Sequence, residues 1–253
     1  MSGLLEGKVA VVTGGGNGIG RASSMSFARE GASVMVCDIN EGAGKAVVEE
    51  IRAAGGTAEF MACDVTKEDE VAALIKGTVD AFGRLDCAHN NAGNQFGNPG
   101  FGDTTVEAWH KTVDLTMMGI WLCMRAELPV MEKQGGGTIV NTTSMAGVRS
   151  NVLSNAAYSA AKRGVISLTE FAAIEYAGKG IRVNTIAPGL VKTAIVQQIY
   201  TPEQQDEFAA RDQPIGRIID PQEIADGVIY LSSDKSAMVT GVTLPIAGGY
   251  NAT

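Results

Sequence analysis

Short runs that are apolar at nearly every position alternate along this chain with longer segments whose apolar residues recur at helical spacing. The apolar runs fall at Lys8–Thr13, Ser33–Asp38, Ala58–Asp64, Leu85–Asn90, Thr138–Thr143, Ile181–Ala187 and Val242–Ile246. The helical spacing covers Gly18–Arg29, Glu41–Ala54, Glu68–Phe82, Trp109–Glu132, Ala156–Ala177 and Pro221–Ser232. Runs that are apolar throughout, rather than alternating, suit parallel strands covered on both faces. Strands separated by helices predict right-handed crossovers and a doubly wound α/β sheet with helices on both faces.

No Pro/Ser-rich linker or internal repeat divides the series, so residues 1–253 are read as one domain. The longest irregular stretch, Pro188–Asp220, holds one predicted short helix after Thr201-Pro202. A long insertion late in a compact domain suits a substrate-binding lid. Leu115–Met124 is apolar on every side and is expected to be buried all round, in the core or in a subunit interface.

Composition narrows the function. A net charge of −8 argues against a nucleic-acid partner, whose footprint would be basic. No stretch reaches the roughly 18 apolar residues of a membrane span, and no secretory signal is visible, so a cytoplasmic location is expected. Cys37, Cys63, Cys87 and Cys123 lack CxxC spacing and sit in apolar stretches, so they read as small buried hydrophobes. No metal-ligand spacing occurs, and His89 and His110 read as structural.

The first strand runs into Thr13-Gly14-Gly15-Gly16-Asn17-Gly18-Ile19-Gly20, and a helix follows. Glycines at 14, 18 and 20 allow a tight turn and close approach to a pyrophosphate, and the helix N-terminus faces it. Asp38 ends the second strand, 18 residues after Gly20. A carboxylate there accepts from ribose hydroxyls and repels a 2′-phosphate, and no Arg or Lys follows it closely, so NAD is favoured over NADP. The alternative is that Asp38 only caps the next helix. Asp64-Val65 ends the third strand and can serve an adenine, or simply cap a turn.

The fifth strand delivers Ser144, and 14 residues later Tyr158 and Lys162 open a helix at i, i+4 spacing. That spacing stacks them on one face. A tyrosine with an ordinary pKa near ~10 is too weak a base at neutral pH, and a nearby ammonium favours its phenolate. Tyr158 is then expected to exchange a proton with an alcohol or ketone, Ser144 to bind the same oxygen, and Lys162 to assist.

Thr13–Gly20, Asn90-Asn91-Ala92-Gly93, Ser144, Tyr158–Lys162 and Pro188-Gly189…Thr193 occur in the order of the short-chain dehydrogenase/reductase family, which the chain resembles over nearly its whole length. The resemblance implies a seven-stranded Rossmann-like sheet, a nicotinamide cofactor, no metal and a homotetramer. It implies a catalytic set of Ser144, Tyr158 and Lys162. It implies that Asn91, Ala92 and Gly93 lie beside the cofactor and that Val191 and Thr193, after Pro188-Gly189, contact its nicotinamide end. Three departures stand out. Thr116 occupies the position where the family usually has a relay asparagine. The Ser144-to-Tyr158 interval is one residue longer than usual. Ala247 replaces a common aspartate.

Ile195, Val196, Ile199, Tyr200 and Phe208 in the lid segment, with Asn94-Gln95-Phe96 opposite, suggest an uncharged, apolar or cyclic secondary alcohol or its ketone. The competing expectation is a ketone reductase acting on 3-oxoacyl thioesters of a carrier protein. A third is a non-catalytic dinucleotide sensor, against which the intact Ser144, Tyr158 and Lys162 count.

Overall fold

Seven parallel strands form one sheet in the order β3-β2-β1-β4-β5-β6-β7. They are β1 (Val9–Thr13), β2 (Ser33–Asp38), β3 (Thr57–Ala62), β4 (Cys87–Asn90), β5 (Gly137–Thr142), β6 (Ile181–Pro188) and β7 (Thr243–Ile246). The computed structural model describes residues 3–97, 100–149 and 154–252; within a helix, the side chains of Ile195, Gln198 and Ile199 lie outside the described set. The lid expectation at Ile195 and Ile199 therefore falls outside the described residues.

β1 is buried at every position, and its side chains divide between two cores. Val11 joins a cluster with Met35, Leu74, Ile120 and Val165. Ala10 and Val12 join Phe27, Val34, Val47 and Val228 on the other face. Helices α1 (Gly18–Arg29), α2 (Glu41–Ala53) and α10 (Pro221–Ser232) cover the second face. Helices α3 (Glu68–Phe82), α5 (Gly119–Gln134) and α7 (Ala156–Tyr176) cover the first. The alternation of strand and helix thus corresponds to the doubly wound arrangement. All four cysteines are buried and free.

Two regions depart from the sequence expectation. The helix expected over Trp109–Glu132 is three segments: α4 (Val106–Val113), a π turn (Asp114–Met118) and α5. A π turn inserts one residue without ending the helix, and hydrophobic periodicity does not register it. Pro188–Asp220 holds two helices rather than one, α8 (Ala194–Ile199) and α9 (Pro202–Asp212). Thr193 caps α8, and Thr201 with Gln204 forms a capping box on α9. A further single-turn helix, α6 (Met145–Val148), follows Ser144.

The apolar segment Leu115–Met124 is not buried all round. Ile120, Leu122, Cys123 and Met124 are buried, whereas Met118 and Trp121 are exposed. Among the described residues no helix is long and apolar enough to cross a membrane.

Candidate active site

The strand order reverses direction between β1 and β4, and a cavity of about 630 Å³ opens outside the carboxyl ends of the strands there. Open α/β sheets place their ligands at such a switch point. Its lining brings together Gly14, Asn17, Gly18, Ile19, Asn91, Ala92, Gly93, Ser144, Tyr158, Lys162, Pro188, Gly189, Val191 and Thr193. Gly20, Asp38, Asp64, Val65 and Thr116 are not part of the lining.

At one end, the loop after β1 is shaped by its glycines. Gly14 has φ +62°, and a Cβ on Gly20 would lie 1.9 Å from Gly14 O. Asn17 precedes α1 without a side-chain cap bond, so the first-turn amides of α1 keep their donors for a ligand. Asn91 ties this loop to the sheet: its Nδ2 donates to Thr13 O at 3.2 Å and Gly14 O at 3.4 Å, and its Oδ1 accepts from Thr142 Oγ1 at 3.4 Å. His89 Nε2 lies 2.9 Å from Thr142 Oγ1. Since that hydroxyl donates to Asn91, His89 is the donor to it and carries its proton on Nε2. Burial, aided by the Lys162 charge, lowers the His89 pKa to about 3.

Asp38 sits beside the glycine loop, where its carboxylate accepts from Gly16 N–H at 2.9 Å and Asn40 N–H at 2.8 Å. Each oxygen keeps a further lone pair for a hydroxyl donor. The cap of α2 is Asn40, which accepts from Ala43 N–H, so Asp38 is not the helix cap. Asp64 Oδ1 accepts from Thr66 N–H and Thr66 Oγ1, a turn-holding role. Open glycine backbone and uncapped amides as donors, with a pinned carboxylate as acceptor, fit a dinucleotide with a diphosphate and a ribose diol.

At the other end, Ser144 Oγ accepts from Ala146 N–H at 3.1 Å and caps α6, which leaves its one proton to donate to an oxygen in the cavity, the Tyr158 phenol included. Tyr158 and Lys162 occupy the first two turns of α7, whose cap is Asn155, accepting from Tyr158 N–H at 2.8 Å. Lys162 Nζ lies 5.6 Å from the Tyr158 ring centroid and donates to Thr142 O at 2.6 Å. Burial pushes the Tyr158 phenol above its ordinary value, and a hydrogen bond with Ser144 pulls it back. Burial lowers Lys162 to about 7. The expected lowering by the lysine is thus not what acts on the phenol in the protein alone; Ser144 lowers it, and desolvation outweighs that.

Thr116, in the π turn, is fully buried. Its Oγ1 donates to Asn94 O at 2.7 Å and accepts from Asn94 N–H at 3.2 Å. The hydroxyl has one proton, so passing a proton to the lysine would require breaking the bond to Asn94 O. A Cβ on Gly93 would lie 3.3 Å from Lys162 Nζ and 3.6 Å from Thr116 Oγ1, so both approach the same point of the loop.

Sequence reasoning missed Thr142, whose carbonyl holds the lysine; a backbone oxygen leaves no mark in residue type. It also missed Asn155, although an asparagine immediately before an Ala-rich helix is a cap signal. Over the cavity, Val196, Tyr200 and Phe208 line the side formed by α8 and α9, and the Tyr200 and Phe208 rings pack at 5.4 Å. Gln213, fully buried, accepts from Leu190 N–H at 2.7 Å and donates to Arg217 O at 2.7 Å, which anchors both ends of this segment. Among the described residues no group of three or more His, Cys, Asp or Glu side chains is placed to hold a metal ion.

The chain matches a family profile described as enoyl-(acyl carrier protein) reductase over residues 14–251. It is 40% identical over 252 residues to a 2,5-dichloro-2,5-cyclohexadiene-1,4-diol dehydrogenase of Sphingobium indicum, covering 99% of each chain. It is 37% identical over 250 residues to a cyclohexanol dehydrogenase of Acinetobacter sp., covering 99% of this chain and 97% of the relative. A solved structure of a 7α-hydroxysteroid dehydrogenase complexed with NADH and 7-oxoglycochenodeoxycholic acid superposes with a TM-score of 0.92 at 36% identity, over 98% of this chain and 96% of the other.

Proposed function

The chain belongs to the short-chain dehydrogenase/reductase family, a nicotinamide-dependent oxidoreductase acting on CH–OH groups, and from that premise we propose that it oxidises an apolar cyclic secondary alcohol with NAD, or reduces the matching ketone. The observation that carries this reading is the convergence of Ser144, Tyr158 and Lys162 on one cavity with the glycine loop. The relatives named for a cyclohexadienediol and for cyclohexanol support a six-membered ring, and the apolar Val196, Tyr200 and Phe208 suit one.

Bound in the cleft, the nicotinamide supplies the acceptor or donor of the hydride. Gly14, Asn17, Gly18, Ile19 and Gly20 would hold the diphosphate on the amides of α1. Asp38 would accept from the ribose hydroxyls, Asp64 and Val65 would flank the adenine, and Asn91, Ala92 and Gly93 would lie beneath the ribose. Pro188, Gly189, Val191 and Thr193 would hold the nicotinamide end. Asp38 supports NAD because its carboxylate repels a 2′-phosphate, and neither Ile39 nor Asn40 supplies a compensating charge.

Ser144 turns its one hydroxyl proton from Tyr158 to the substrate oxygen as a hydrogen-bond donor and fixes the carbinol. Tyr158 Oη takes the alcohol proton as the C–H bond yields its hydride, and returns it in the reverse direction. Lys162, in its protonated form, favours the phenolate. Residues Pro188–Asp220 act as the lid that shuts water from this chemistry. We assign the assembly as a homotetramer: Met118 at the end of the π turn, Trp121 on α5, and Phe171 and Ile174 on α7 leave apolar surface in contact with solvent in one subunit. A net charge of −8 disfavours docking of an acidic carrier protein, which counts against the thioester reductase alternative.

A panel of cyclic and acyclic secondary alcohols, offered with NAD and with NADP and read by reduced-cofactor absorbance, tests the reading. Cyclic alcohols with NAD are expected to react fastest. A preference for NADP, or turnover confined to acyclic substrates, contradicts it.

A further inference from the structure

Two carboxamides on the loop after β4, Asn94 and Gln95, line the same cavity as Tyr158. Each has its acceptor engaged within the protein. Asn94 Oδ1 accepts from Gln95 N–H at 2.8 Å, and Gln95 Oε1 accepts from Asn155 N–H at 3.3 Å. Only the oxygen of an amide can accept, so these bonds settle which end of each side chain is the NH2 group. Among the described residues neither Asn94 Nδ2 nor Gln95 Nε2 donates to a protein acceptor. Both amides therefore stand with two unused donors each at the edge of the substrate space.

The loop that carries them is held on both sides. Thr116 bonds Asn94 through both its N–H and its carbonyl. Phe96 N–H donates to Thr112 Oγ1 at 3.1 Å, and Phe96 O accepts from Asn155 Nδ2 at 2.7 Å. The donors thus sit on a fixed frame rather than a free loop. Across the cavity Val196, Tyr200 and Phe208 present apolar surface, and Asp212, the carboxylate of the lining, is paired to Arg211 through both oxygens.

Resting on the reading of the site as a cyclic-alcohol dehydrogenase, we propose that Asn94 and Gln95 select ring alcohols that carry a hydrogen-bond acceptor oxygen away from the reacting carbinol. An ether, carbonyl or second hydroxyl oxygen on the ring takes the amide donors. An all-carbon substituent leaves them facing apolar surface with their water displaced, which costs binding. Gln95 further ties the contact to the start of α7, because its oxygen holds Asn155, the residue that caps the helix of Tyr158.

The test compares 2-, 3- and 4-methoxycyclohexanol with the corresponding ethylcyclohexanols, pairs of similar shape that differ by one ether oxygen. The readout is the ratio of kcat/KM within each pair, so that changes in overall rate cancel. The wild-type enzyme is expected to favour the methoxy alcohol of at least one pair by about fivefold to tenfold, the worth of one neutral hydrogen bond. Asn94→Leu and Gln95→Met each bring that ratio towards one. Gln95→Glu keeps the acceptor for Asn155 N–H but sets an anion against the ether, and takes the ratio below one. A wild-type ratio at or below one for all three pairs, or a ratio unmoved by every variant, overturns the proposal. If the wild-type enzyme oxidises none of the six alcohols, the cyclic-alcohol reading has failed and this inference falls with it; oxidation of the ethyl compounds without the preference sinks the inference alone.

Discussion

Tyr158 and Lys162 lie one helical turn apart, and burial moves both away from the charged forms that the chemistry uses. Ser144 is the group that opposes this at the phenol, so its hydroxyl assists the base as well as the substrate. Thr116 stands nearby with its hydroxyl engaged on Asn94 in both directions. Thr116→Val keeps the shape and removes both bonds. The expected result is a several-fold rise in KM for the alcohol, about the worth of one or two hydrogen bonds to a loop, with the pH profile of kcat unmoved. A displaced pH profile would instead give Thr116 the relay role in place of the usual asparagine. The catalytic trio was legible because its chemistry requires fixed residue types at fixed spacing. The use of Thr116 was not, because a threonine hydroxyl suits a relay and a loop clamp equally well until its partner is known.

At the scale of elements, helix starts carried the clearest signals. Thr201-Pro202 and Asp220-Pro221 both open helices with capping boxes. The π turn at Asp114–Met118 had no such mark, since inserting one residue changes hydrogen bonding without changing polarity. Strand–helix alternation implied parallel strands, but the placement of β4 beside β1 depends on contacts far apart in sequence. Asn155 joins two elements, capping α7 through Oδ1 and holding Phe96 O through Nδ2. Asn155→Ala is expected to cost about 1 kcal/mol for the cap, seen as a fall in Tm of about 2–4 °C for a chain of this size, and to raise KM as the loop loosens. Asn155→Asp restores the acceptor but not the donor, so Tm recovers while KM stays high. Recovery of both would mean that the bond to Phe96 does not matter.

For the molecule as a whole, a buried polar group beneath the site links stability to pH. Glu127 on α5 accepts from Asn90 Nδ2 at 3.0 Å, and Asn90 also donates to Asn141 at 3.1 Å. Burial raises the Glu127 pKa to about 8 from an ordinary 4.5. The folded state therefore holds a proton that the unfolded chain releases, so this stability is complete below about pH 4.5 and is lost as pH rises through about 8. Glu127→Gln removes the titration. Its Tm is expected to match the wild type near pH 5 and to exceed it by several degrees near pH 9; a gap independent of pH would refute the assignment. Lys162 titrates in both proteins and cancels from the difference. One cavity joins the glycine loop at one end to Tyr158 at the other. The most direct test is NADH formation from cyclohexanol and NAD by the wild type and by Tyr158→Phe, with NADH binding followed by fluorescence. Turnover is predicted to fall by about 100-fold or more while NADH binding is retained, and a variant that kept the wild-type rate would contradict the central claim.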